Sequence, residues 1–109
     1  LGLVARDLDL SDAQRQQIRG IVSKARTDSQ PLADRLRQAA EARRKAMAAR
    51  PVDESQIRST TQALTSAQTD MAIARAHMQS DVFALLTPEQ QAKATQARER
   101  REARRRPRN

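Results

Sequence analysis

His77 and Asp81 stand four residues apart, the spacing at which two side chains on one helix face can share an ion, and Met78 follows His77 directly. A metal centre needs more than this. Zn, Ni and Co sites draw on several imidazole, thiolate or carboxylate ligands, and the chain has one histidine and no cysteine. His77 is a weak candidate, read as a partly exposed helical residue, and no tight metal site is expected. Covalent and acid–base chemistry find no better support. Tyrosine and tryptophan are absent, no Gly-rich phosphate loop is present, and no serine or threonine has a histidine and carboxylate set around it. The residues read as those of a protein that is not an enzyme and needs no cofactor.

What remains is surface chemistry. Met47 sits beside Arg43, Arg44 and Arg50. Basic groups speed encounter with acidic or unfolded chains, and a flexible, polarizable methionine suits a surface that accepts varied partners. Ile73 and Phe83 lie on a second apolar line of the same helical region and join this candidate surface. Met71 and Met78 read instead as packing residues.

The elements that must carry these residues are helical. Of 41 apolar residues 20 are alanine, and Leu, Ile, Val and Phe together number only 18. With a net charge of +8 this borders on the composition of disordered chains. Alanine, Arg, Gln and Glu are good helix formers, however, and there are only two glycines. The expectation is extended helices with a thin core, completed by a second copy of the chain. No run approaches the ~20 apolar residues that a membrane span requires.

Periodicity places four helices at about 11–29, 31–49, 53–85 and 87–103. Ile18, Ile21, Val22 and Ala25 form an apolar stripe on the first, with Gly20 weakening its middle. Pro31 predicts a break near Gln30, because the residue before a proline disfavours helical dihedrals. Asp53 caps the third helix, with Gln56 completing a capping box and Val52 stapling onto Ile57. On that helix Ile57, Leu64, Met71, Met78 and Leu85 recur every seven residues, and Thr60, Ala67 and Ala74 stand three later. This is a coiled-coil-like seam with one large and one small side. Residues 1–8 are expected to form a turn or short helix. From Gln91 to Asn109 there are eight basic and two acidic residues, so most of the net charge lies there. Lacking an apolar stripe, the chain is expected to fray after about Arg101, which divides it into a domain over 1–103 and a basic, disordered tail over 104–109.

Two phrases mark the helix starts. Leu10-Ser11-Asp12-Ala13-Gln14 and Leu86-Thr87-Pro88-Glu89-Gln90 share the pattern Leu, Ser or Thr, two variable residues, Gln. Ser11 and Thr87 can cap a helix, and Gln14 and Gln90 stand where a side chain reaches back to the cap's own N–H. Pro88 falls at the first helical position, where its missing N–H costs nothing.

This doubled Leu-Thr-x-x-Gln box resembles the Spy/CpxP group of periplasmic chaperones and stress proteins. Arg43-Arg44-Lys45-Ala46-Met47 is similar to that group's basic second helix, and the resemblance covers about residues 8 to 100. It implies a cradle-shaped antiparallel homodimer of helical hairpins and an ATP-independent chaperone. That chaperone would bind unfolded or aggregation-prone client proteins on a basic and apolar concave surface, with Arg43, Arg44, Met47, Arg50, Ile73 and Phe83 as client contacts. Leu10, Ser11, Gln14, Leu86, Thr87 and Gln90 would be structural. The resemblance also implies the periplasm: the sequence contains no signal peptide, and its start at Leu1 without methionine is consistent with removal of an upstream segment. Two rivals stand beside this reading. One is a periplasmic stress or metal sensor on the same scaffold, and the group's metal-binding members use histidines absent here. The other is a basic nucleic-acid-binding protein using the Arg-rich end. Phe83 is the lone aromatic and no helix-turn-helix or zinc-finger pattern is present, so no nucleic acid is expected as partner.

Overall fold

The computed structural model describes residues 8–106, and among these the chain is all-α. Three helices and no strand are present: α1 (Asp12–Ala48), α2 (Glu54–Ala84) and α3 (Pro88–Arg105). None is long and apolar enough to cross a membrane. The turn or short helix expected over residues 1–8 falls almost wholly outside the described residues.

Four helices were expected and three are found, because the first two are one. α1 runs unbroken through Pro31. A proline inside a helix leaves the carbonyl four residues back without its donor and costs about 3 kcal/mol. Here that carbonyl belongs to Thr27, and both Thr27 and Pro31 are exposed, where water can replace the missing N–H. The opposite side of the helix supplies the reason to continue. Val22, Ala25, Ser29, Leu32, Leu36, Ala39, Arg43 and Ala46 alternate spacings of three and four, and all are buried or half-buried. A break at Gln30 would rotate half of this stripe away from its neighbour.

The described residues fall into two compact units, and α1 and α2 contribute to both. The unit Val22–Gln79 is an antiparallel helix pair joined by the turn over residues 49–53, where the Arg50–Pro51 peptide is cis. Its register is set by two polar rungs. The Arg35 guanidinium meets the Asp70 carboxylate at 2.5 Å, and Arg43 Nε donates to Thr61 Oγ1 at 3.2 Å. The fully or nearly buried positions of the seam are small residues. Ala67 is completely buried, Ala39 and Ala46 nearly so, and Ile57, Thr60, Leu64, Met71, Ala74 and Met78 are half-buried on the α2 side. Among the described residues no large side chain is fully buried. The Asp53 carboxylate accepts from the Gln56 N–H at 3.2 Å, one half of the expected capping box. Val52 is 60% exposed, so the expected staple onto Ile57 does not bury it.

The second unit comprises residues 8–21 and 80–106. Leu8, Leu10 and Leu86 form its core, with Ile18 and Ala94 packed against them. Asp9 takes the left-handed conformation (φ 50°), one that aspartate tolerates better than most residues, and the chain turns there with a buried leucine on either side. α3 continues to Arg105, past the point where the charge pattern predicts fraying, and the Arg106 N–H closes it by donating to the Glu102 carbonyl at 3.2 Å. Arg, Glu and Ala are strong helix formers, and Arg104 and Arg105 in the last turn suit the negative end of the helix dipole.

Candidate functional site

The two boxes meet. Each first does the local work its pattern predicts. The Ser11 hydroxyl accepts from the Gln14 N–H (3.1 Å), and the Gln14 Oε1 accepts from the Ser11 N–H (3.0 Å). At the second box the same reciprocal bonds join Thr87 and Gln90 at 3.2 and 2.9 Å, with Pro88 in the first helical turn. Each glutamine then crosses to the other box. Gln14 Nε2 donates to Gln90 Oε1 at 2.8 Å and to the Leu85 carbonyl at 3.1 Å. Gln90 Nε2 donates to Gln14 Oε1 at 3.2 Å and to the Leu8 carbonyl at 3.0 Å.

A primary amide has two N–H donors and two acceptor lone pairs. Both amides therefore use their whole capacity in one closed network: own cap, opposite amide, opposite backbone. The leucines that precede each cap lie in the same place. Leu10 and Leu86 are buried against each other's segment together with Leu8. The end of α2 is closed by the same neighbourhood. The Phe83 carbonyl accepts from the Leu86 N–H and from Gln91 Nε2, each at 3.1 Å, and the Leu85 carbonyl accepts from Gln14. The participation of the Leu8 and Leu85 carbonyls has no local signature. The only hint in the chain is that two matching boxes occur at all.

The six candidate client contacts are distributed over both units. Arg43, Arg44, Met47, Arg50 and Ile73 belong to the unit Val22–Gln79, and Phe83 to the other. Met47 is 49% exposed on the last turn of α1. Arg50 Nη1 donates to the Met47 and Ala49 carbonyls at 3.2 and 2.9 Å, capping that helix end. Arg43 is half-buried on Thr61. Arg44 forms a two-pronged pair with Glu41 at 3.0 and 2.5 Å. Hydrogen bonding from Arg44, with the charges of Arg44 and Lys45 adding to it, holds the Glu41 carboxyl below its ordinary pKa; the same bond to Glu41 raises Arg44. Val52, which sequence reasoning assigned to a staple, adds a further exposed apolar side chain at this turn. Ile73 is 51% exposed but lies twelve residues beyond Thr61 on α2, about 18 Å along the helix, so it is not brought to the Met47 cluster. Phe83 is 39% exposed. His77 and Asp81 are both exposed, and no group of three or more His, Cys, Asp or Glu placed to hold a metal ion occurs among the described residues.

The sequence matches the family described as LTXXQ motif family protein over residues 2–98. The chain belongs to that family. It is the Spy/CpxP-type family, helical and non-enzymatic. No curated protein gives a significant match to the chain. The LTXXQ name describes the very residues that close the 8–21 and 80–106 unit, with serine in place of threonine at position 11.

Proposed function

We propose that this LTXXQ protein is an ATP-independent periplasmic chaperone that holds unfolded or aggregation-prone proteins on a mixed basic and apolar surface, and that it works as a homodimer. The observation that carries this reading is the exposed apolar pair Met47 and Val52 at the turn between α1 and α2, beside Arg43, Arg44 and Arg50, with Ile73 exposed farther along α2. Such side chains can cover apolar segments of a client while Arg43, Arg44 and Arg50 attract its acidic ones. Phe83, exposed in the other unit, is a separate proposed contact. Family membership supports the chaperone class and the periplasm. The thin alanine seam supports dimerisation, since a second copy would bury apolar surface that one chain leaves exposed.

With no nucleotide motif in the sequence, client release must come from binding that is reversible and moderate. The test is light scattering of a denatured, aggregation-prone protein diluted into stoichiometric amounts of the chain. ATP is omitted, and salt runs from low to ~0.3 M to screen surface charge. Suppression that weakens only in part with salt is expected. Absence of suppression at every salt concentration overturns the reading. Analytical ultracentrifugation checks the dimer, which a single species of monomer mass at micromolar concentration would contradict.

A further inference from the structure

Beyond Ala97, α3 packs against nothing in its unit. Its half-buried positions, Gln90, Gln91, Ala94, Thr95 and Ala97, all lie at its start, and every residue from Arg98 to Arg106 is exposed. That stretch holds six arginines and two glutamates. Burial gives no reason for this composition, and like charges three and four residues apart weaken a free-standing helix. The charges are also sorted. At 3.6 residues per turn, Lys93, Arg98, Arg100, Arg101, Arg104 and Arg105 spread over about 160° of the helix; Glu99 falls on the opposite side, Glu102 lies at the margin about 40° beyond Arg98, and Arg106 follows the last helical residue. None of these six basic side chains forms an ion pair among the described residues.

We infer that the exposed end of α3 is a docking face for an anionic phospholipid bilayer. A flat array of phosphates meets one side of a helix, which is how five of the six arginines are arranged. A duplex groove has phosphate walls on both flanks and would bring Glu99 towards one of them. Single strands are held by stacking on aromatic rings, and the arm has none. Its sole apolar side chain after Arg98 is Ala103, so the contact is electrostatic and peripheral rather than inserted. The inference does not depend on the client-binding reading.

The test is cosedimentation of the full chain with phosphatidylcholine vesicles, with and without roughly a third phosphatidylglycerol. A variant with Arg98, Arg100, Arg101, Arg104 and Arg105 all replaced by Gln is compared. Glutamine preserves helix propensity, and far-UV circular dichroism verifies the fold. The chain is expected to bind anionic vesicles and not neutral ones, to lose that binding by ~0.3 M salt, and to bind more weakly in the variant by roughly 1,000-fold or more. Failure to bind anionic vesicles at low salt, or equal binding by the variant, overturns the inference. So does tighter binding of a DNA duplex than of the vesicles, which would make nucleic acid the occupant. The variant should still suppress aggregation in lipid-free solution, so a failed chaperone assay and a failed vesicle assay are separate results.

Discussion

In one unit three leucines and two glutamine amides close the structure; in the other, three alanines and two polar rungs do. Residues 8–21 and 80–106 bury Leu8, Leu10 and Leu86 around an amide pair with every donor and acceptor used. Val22–Gln79 relies on Ala39, Ala46 and Ala67 with half-buried neighbours, and on the exposed pair Arg35–Asp70 and the half-buried pair Arg43–Thr61. The first arrangement demands particular atoms at particular places. The second demands mainly that side chains be small and recur on one stripe. The contrast explains why the recognisable motif of the chain lies in the first unit, although the proposed client contacts lie mostly in the second.

The comparison can be broken at its strongest points first. Leu86→Ala should lower stability by about 2–5 kcal/mol, as a buried leucine does when it leaves a cavity, measured by chemical denaturation; an unchanged midpoint would remove the leucine cluster from the account. Ala67→Leu should cost about 1–3 kcal/mol by overpacking a completely buried position of the seam. A gain in stability there would mean that the two helices are loosely held.

Gln90→Glu sharpens the contrast. A capping box accepts glutamate as readily as glutamine. The cross-link does not, because a carboxylate has no N–H to give to the Leu8 carbonyl or to Gln14 Oε1. Gln90→Glu should therefore cost about 1–3 kcal/mol, while Gln56→Glu, at a cap with no cross-link, should stay within about 0.5 kcal/mol of wild type. Equal effects at the two sites would reduce the boxes to ordinary helix caps. Gly20→Ala should stabilise by about 0.5–1 kcal/mol, since a Cβ at Gly20 meets nothing within 4 Å.

The smallest effect is electrostatic. Glu41 has a folded-state pKa below its unfolded one because Arg44 hydrogen-bonds the carboxylate. Its contribution is thus full above the ordinary carboxylate range and is lost as pH falls through the lowered folded value. Wild type and Glu41→Gln should melt slightly apart at neutral pH and converge in acid; a gap that widens in acid would reverse the sign.

Much of this architecture is legible in the chain. The caps at Ser11 and Thr87 are local patterns and form as such, and the seven-residue recurrence from Ile57 to Met78 marks the buried side of α2. Pro31 was misleading because its local preference competes with a stripe more than twenty residues long, and the longer-range term prevails. Val52 was misleading for a related reason: a staple is a local pattern, and nothing else packs over the turn to bury it. The crossing of Gln14 and Gln90 depends on where distant helix ends meet, which spacing within one segment does not encode. The candidate contacts rest on a motif resemblance and helical spacing, neither of which reports that Arg44 is engaged by Glu41 or that Ile73 stands far from Met47.

The most direct test of the central claim is the affinity for a fluorescently labelled, permanently unfolded client, before and after Met47, Val52 and Ile73 are all replaced by serine. The proposed apolar surface predicts binding by the wild-type chain that weakens about tenfold or more in the variant, with helix content unchanged. Equal affinities, or no binding by the wild-type chain, would contradict it.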